Sequence, residues 1–176
     1  MKLQALCFVL AVLSVQVLPA QEKEPPTAQT KRGRDLFLKS QKGTPCATCH
    51  MMAGIGTAVG PNLANLTALA TPRGVIAAMQ MTITENVQRV KTANGTFPGI
   101  QKQKQGDEFE IWDLGQTPPV LRKLTSKEIT SIDRDQQWKH PPASADYTSQ
   151  ELADIVGFLR WATNGTQKEI KASDIE

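Results

Sequence analysis

The stretch Cys46-Ala47-Thr48-Cys49-His50 decides the fold of this chain. It sets two thiols two residues apart and places a histidine directly after the second thiol. This spacing is the attachment pattern of a c-type haem, in which both sulfurs bond to the porphyrin and the histidine supplies the proximal nitrogen. The motif therefore predicts one covalently bound haem c, with Cys46, Cys49 and His50 as anchors and His50 as an iron ligand.

Two other uses of a Cys-x-x-Cys pair fit the surrounding sequence less well. A thioredoxin-type pair follows a strand in a βαβ pattern, whereas this pair follows a helical stretch and a Gly43-Thr44-Pro45 turn. A structural zinc site needs four ligands. Only Cys7 and His140 remain among the cysteines and histidines of the chain.

Length and charge narrow the class of protein. A chain of 176 residues with a formal net charge of +3 is one domain, or one domain with an insertion. Lysines and arginines are spread out, apart from a cluster at 31–34 that is typical of a solvated helix face. We therefore expect no nucleic-acid partner, and a core large enough to include a haem.

Residues 1–20 predict a secretory signal peptide. Lys2 precedes an almost wholly apolar run from Leu3 to Leu18, and Pro19-Ala20 resembles a processing site. The alternative is an uncleaved membrane anchor, for which the apolar run is short. We expect a periplasmic or secreted protein that contacts a membrane only if this segment is retained. A disordered lead-in is expected over 21–30.

Sequence signals that start or end helices are found at both ends of the chain that follows residue 30. Thr30 is predicted to cap a helix over 31–39, and Thr71 with Pro72 to start a second helix. Thr148 and Glu151 form a capping box for a last amphipathic helix that ends at Asn164-Gly165. Residues 165–176 are expected to be a frayed tail.

Between these helices, the sequence predicts strands. The segment 87–92 alternates loosely and is followed by Asn94-Gly95, a hairpin signal. Further strands are predicted at 96–100, 108–114, 120–124 and 129–132, with a polar turn over 101–107. We therefore expect a mainly α fold: a helical domain over 31–164 around one covalent haem, with a small antiparallel β insertion at about 87–132.

These elements together resemble the class I cytochrome c family. The resemblance rests on a helix bearing Gly33 and Phe37, the haem motif, the loop Gly60-Pro61-Asn62-Leu63 and a final amphipathic helix. With its β insertion, the chain is most similar to bacterial "haem-binding domain" c-type cytochromes. The resemblance implies that the Pro61 carbonyl accepts a hydrogen bond from the His50 ring and so orients this ligand.

The second axial ligand is where the chain departs from the family. The family places a methionine just before the proline segment that precedes the last helix, and here that position holds His140. His140 is the favoured ligand, which would lower the potential relative to methionine. Two alternatives stay open: Met79 or Met81 binds the iron, or the sixth position is open.

The predicted function is to carry single electrons. The expected partners are periplasmic redox proteins, with a dehydrogenase on one side and an oxidase or another cytochrome on the other. An alternative is a haem enzyme or gas sensor, such as a peroxidase, in which the sixth position is open or weakly held. A third is a subunit that docks through the strand edges of the insertion.

Overall fold

The computed structural model describes residues 25–40, 42–81, 86–141 and 146–176. The predicted signal peptide and the first part of the predicted lead-in lie outside these residues. No helix within the described part of the chain is both long and apolar enough to cross a membrane. In chain order, the elements are α1 (Ala28–Lys39), β1 (Met51–Met52), β2 (Ile55–Gly56), α2 (Ala64–Leu69), α3 (Pro72–Gln80), β3 (Gln88–Thr92), β4 (Gly95–Gln105), β5 (Glu108–Asp113), β6 (Val120–Thr125), β7 (Ile129–Arg134) and α4 (Ser149–Asn164).

The helical part of the molecule is built on the crossing of α1 and α4. A Cβ on Gly33 would lie 1.9 Å from the Asp154 carbonyl oxygen and 2.9 Å from Phe158 Cβ, so only glycine permits this close approach. One turn later, the Phe37 ring packs on the Phe158 ring with centroids 5.3 Å apart. The last helix therefore packs closely across the first.

The helix boundaries agree with the capping signals except at the first helix. α1 begins at Ala28, and its cap is Thr27, whose side chain accepts a hydrogen bond from the Thr30 amide. The prediction that Thr30 is the cap was therefore wrong, and the last part of the predicted lead-in is helical. Thr71 caps α3, the Thr148 capping box starts α4, and a left-handed Gly165 ends it, as predicted.

The C-terminal segment packs on the helices, contrary to the prediction that it frays. Ile170 and Ile175 are 2% and 8% exposed and belong to the helical core. Gln29 of α1 fixes the segment, since its amide donates to the Ile170 carbonyl at 2.7 Å and its carbonyl accepts from the Ile170 amide at 3.0 Å. Two isolated isoleucines in a charged stretch carry no periodic signal, so no sequence pattern indicated this packing.

A five-stranded antiparallel sheet, in the order β6-β5-β4-β3-β7, forms the second part of the molecule. The predicted hairpin is present, but its two-residue turn is Ala93-Asn94, with Thr92 paired to Gly95, one residue earlier than the Asn94-Gly95 signal indicated. The sheet has its own core of Val90, Phe97, Phe109 and Ile111, against which Leu124, Ile129 and Ile132 pack. Among the described residues, this core shares no member with the helical one.

The sheet curls toward a barrel because its two edge strands are neighbours in sequence. The edges of a flat five-stranded sheet lie about 19 Å apart. Yet only residues 126–128 join β6 to β7, and the Glu128 amide bonds to the Thr125 carbonyl at 3.0 Å, which closes a tight turn. Register shifts occur at Lys91/Thr92 and Gln101/Gln103. Strands bend at such irregularities, and these bends allow the sheet to curl.

The prediction of a mainly α fold was wrong. About 34% of the described residues are helical and 27% are in strands, so the fold combines α and β parts of similar weight. The strands lie where the sequence indicated them, but β4 continues to Gln105 through residues expected to form a turn. All five side chains from Gln101 to Gln105 are exposed, so this strand end shows no apolar alternation.

Candidate haem-binding site

The two thiols and His50 lie on one tight turn that follows α1. Cys46–Thr48 form a single turn of 3₁₀ helix, and the Cys46 carbonyl accepts hydrogen bonds from the amides of Cys49 at 3.2 Å and His50 at 2.8 Å. A second set of bonds joins the turn to the next loop, because the Cys49 carbonyl accepts from Val59 and Gly60. The backbone of the motif is therefore held from both sides.

Two glycines allow this loop to approach the motif closely. A Cβ on Gly56, which has a φ of +95°, would lie 2.3 Å from the His50 carbonyl oxygen. A Cβ on Gly60 would lie 2.8 Å from His50 Cε1, inside the contact distance of the imidazole. Both positions exclude any larger residue unless the loop or the ring moves.

The His50 ring is oriented by a backbone carbonyl. Its Nδ1 lies 2.8 Å from the Pro61 carbonyl oxygen, the contact that the family resemblance implies. Since a carbonyl only accepts, Nδ1 carries the proton and Nε2 keeps its lone pair. Burial lowers the pKa of His50, an effect that the Pro61 hydrogen bond opposes and the nearby His140 reinforces. The ring is therefore neutral and able to bind a metal.

The two thiols have the properties of unreactive groups until they are modified. Cys46 and Cys49 do not form a disulfide, and burial raises the pKa of both. Redox-active Cys-x-x-Cys pairs work instead by lowering the pKa of the attacking thiol. The geometry thus disfavours a thioredoxin-type role, as does the helix, not strand, that precedes the motif.

The structure brings His140 to His50, although 90 residues separate them in the chain. The two ring centroids lie 6.0 Å apart with an angle of 40° between the planes. Nδ1 of His140 lies 2.7 Å from the Pro141 carbonyl oxygen, so Nε2 is the nitrogen with a free lone pair here too. Trp138 packs edge-on against the His140 ring at a centroid distance of 6.1 Å.

The alternative methionine ligands differ in burial. Met79 is partly buried against the helical core, and Met81 is 64% exposed just after α3. Met51 and Met52 form the small strand that follows His50, with Met52 buried at 1% and Met51 exposed at 37%.

The donor set fits a covalently attached porphyrin and does not fit a protein-bound zinc ion. Two thiols on one turn stand beside a neutral imidazole, and a second imidazole faces the first. In the described part of the chain, no group of three or more His, Cys, Asp or Glu side chains is arranged to hold a metal ion. A zinc site would require four protein ligands.

Sequence reasoning missed Gly60, Trp138 and Asp135 as parts of this site. Gly60 was visible only as a neighbour of Pro61, and its contact with the His50 ring depends on the fold. Trp138 stands two residues before His140, but sequence alone does not show which way a ring points. Asp135 acts on backbone amides, as described below, and nothing in its type or spacing distinguishes it from other loop aspartates.

Comparison with known proteins agrees with the geometry. The family model for cytochrome c matches residues 30–116, about half of the chain, and this range contains Cys46, Cys49, His50 and Pro61. His140 and α4 lie beyond the match, and the narrower resemblance to the haem-binding-domain cytochromes stays a prediction. No curated protein matches the chain. The chain belongs to the cytochrome c family, whose members bind haem c covalently and use its iron for electron transfer.

Proposed function

We propose that this chain is an exported cytochrome with a single haem c and with His50 and His140 as the axial ligands. It carries single electrons between a periplasmic dehydrogenase and an oxidase or another cytochrome. The observation that carries the proposal is the pair of facing imidazoles, each with its Nδ1 held by a proline carbonyl.

The separation of the two rings supports a shared iron. Two imidazole nitrogens at about 2 Å from one metal ion lie about 4 Å apart, and the ring centres roughly 1 Å behind them lie about 6 Å apart. The observed centroid distance is 6.0 Å.

The residues that hydrogen-bond to the two imidazole rings influence the reduction potential of the site. When bound, haem supplies an iron that alternates between the ferric and ferrous states. The hydrogen bond to Pro61 increases the basicity of His50, and that to Pro141 does the same for His140. Two basic nitrogens stabilise ferric iron, so we expect a lower potential than a histidine–methionine pair would give.

Ligation by two histidines also favours a carrier over an enzyme. A haem that activates peroxide or binds a gas needs an open position beside a distal polar group. His140 fills that position on this proposal and keeps water and small ligands off the iron. Because the same two rings serve both redox states, little in the chain has to move when an electron arrives.

Replacement of His140 by methionine tests the proposal directly. We expect the His140→Met holoprotein to show a midpoint potential higher by about 100–300 mV, within the roughly 0.8 V range that axial ligands span. Redox titration of purified protein measures this, with Lys139→Met as a matched control for the neighbouring exposed side chain. An unchanged midpoint and spectrum would show that His140 does not bind the iron.

The mass of the same purified protein tests export and haem number. Cleavage near Ala20 removes the apolar segment, and one haem adds a fixed mass that survives denaturation because thioether bonds are covalent. A retained N-terminus would instead indicate a membrane-anchored carrier.

A further inference from the structure

We infer that the β-sheet supports His140, the proposed distal ligand. Asp135 is the positioning residue that connects the sheet to His140. This inference rests on the proposed role of His140 as an axial ligand. It assigns a task to the insertion, which otherwise only interrupts a helical cytochrome. The segment concerned is Asp135–Pro141, called the distal strap below.

The strap begins at the last hydrogen bond of the sheet. β7 pairs with β3 up to the partners Gln88 and Arg134. The amide of Asp135 then donates to the Val87 carbonyl at 2.9 Å, which extends the ladder by one bond. Val87 is 1% exposed, so this anchor point is fixed in the interior.

Asp135 turns the chain immediately after this bond. Its Oδ1 accepts hydrogen bonds from the amides of Gln137 at 3.0 Å and Trp138 at 3.1 Å. One carboxylate oxygen thus determines the path of the next three residues. Hydrogen bonds to a charged acceptor are the stronger kind, so the turn is well defined.

The turn places Trp138 where it can hold the ligand. Its indole ring meets the His140 ring at 86°, an edge-to-face arrangement within the preferred distance range of aromatic pairs. The bond from His140 Nδ1 to the Pro141 carbonyl then fixes the remaining rotation of the imidazole. A continuous set of contacts therefore runs from the sheet through Asp135 and Trp138 to His140, only five residues beyond Asp135.

Carbon monoxide binding to the ferrous holoprotein measures how firmly the strap holds His140. The gas binds only when His140 has left the iron, so its apparent affinity rises in proportion to the open fraction. We expect Asp135→Ala to raise this affinity about tenfold, equivalent to about 1.4 kcal/mol. Asp135→Asn, whose amide oxygen still accepts both bonds, should stay within about threefold of the wild type.

Asp133→Ala is the matched control, because Asp133 lies in β7 and its carboxylate accepts a hydrogen bond from nearby Ser131. His140→Ala sets the upper limit, with rapid gas binding. If Asp135→Ala does not fold, Asp135→Glu keeps the charge but displaces the acceptor oxygen, and should also raise the affinity.

The outcomes separate the two proposals. Wild-type gas affinity in Asp135→Ala and Asp135→Glu, together with rapid binding in His140→Ala, would overturn the role of Asp135 and leave His140 as the ligand. An unchanged spectrum and affinity in His140→Ala would overturn the axial ligand itself. An equal rise in Asp133→Ala would show that any loss at this sheet edge releases the ring, and would also overturn the specific role of Asp135.

Discussion

His50 and His140 face each other, but the chain holds the two rings by different means. His50 is next to Cys49, on a turn whose carbonyls are bonded by the following loop. The backbone contacts that orient its ring come from Gly60 and Pro61, close to it in the sequence. His140 sits at the end of the distal strap, and its position depends on a sheet formed by residues 88–134.

On the proposed ligation, the difference separates a locally encoded ligand, His50, from one that depends on tertiary structure, His140. The proximal side needs a short stretch of sequence and the helical core beneath it. The distal side needs the strands to pair in the right order before its ligand is in place. Damage to one core should therefore affect one ligand before the other.

The largest expected effect comes from truncating one phenylalanine in each core. Phe158 is 0% exposed between α1 and α4, and Phe97 is 8% exposed inside the sheet, beneath the Arg122 guanidinium. Phe158→Ala should lower the free energy of unfolding by about 3–5 kcal/mol and Phe97→Ala by about 3 kcal/mol. Urea unfolding followed by circular dichroism measures both losses.

The same pair of variants distinguishes the two ligands. At low urea, we expect Phe97→Ala to bind carbon monoxide more tightly than the wild type, because a looser sheet releases His140. Phe158→Ala should keep the wild-type gas affinity until it unfolds. Equal gas affinities in the two variants would show that the helices, not the sheet, hold the distal ring.

A smaller effect is expected from Gly60→Ala on the proximal side. The added Cβ would lie 2.8 Å from His50 Cε1, and overpacking of this kind costs about 1–3 kcal/mol. If the ring moves away from Pro61, His50 also becomes a weaker donor and the midpoint potential rises. Urea unfolding and redox titration measure the two consequences.

Ala58→Val is the matched control for this change, since Ala58 is exposed in the same loop. It should leave stability and potential close to the wild type. A Gly60→Ala protein with wild-type stability and midpoint would show that the loop yields easily and does not confine the His50 ring.

The smallest effect concerns acid stability of the helical part alone. Burial raises the pKa of Asp154, but hydrogen bonds from Arg32, Gln150 and Gln29 outweigh it, so the pKa is lowered overall. The stabilisation is therefore present above about pH 4 and is lost as the pH falls through the lower, folded-state pKa. Because Arg32 is half exposed, we expect a contribution of about 1 kcal/mol.

Asp154→Asn should accordingly lose about 1 kcal/mol at pH 7 and show a flatter acid limb in thermal unfolding than the wild type. The exposed Asp146, changed to asparagine, provides the control. A wild-type acid limb in Asp154→Asn would mean that the ion pair adds no net stability.

Much of the fold follows from local signals in the sequence. Val90, Phe97, Phe109 and Ile111 mark the strands because inward positions are apolar, and Thr71 and Thr148 mark helix starts because their side chains cap free amides. The balance of α and β did not follow, since the exposed end of β4 is wholly polar. The closure of the sheet also depends on which strands pair, which no local pattern shows.

The residues of the candidate site also differ in how far the sequence predicts them. The haem-binding role of Cys46, Cys49 and His50 can be predicted from their spacing alone, without knowledge of the fold. His140 was found by its scarcity and its place before the last helix, not by any periodicity. Asp135 could not be identified from the sequence because its partners are backbone amides, which every residue except proline carries.

The pairing of β7 with β3 has a consequence for how the chain matures. The haem motif Cys46–His50 lies on one local turn, so haem attachment does not depend on the sheet being formed. We expect β7 to pair with β3 late in folding, because this pairing joins the two strands of the sheet that lie furthest apart in the sequence. If His140 reaches the iron only when β7 has paired, the haem spectrum changes from high-spin to low-spin at that step. The absorption of the haem then reports when the sheet has formed.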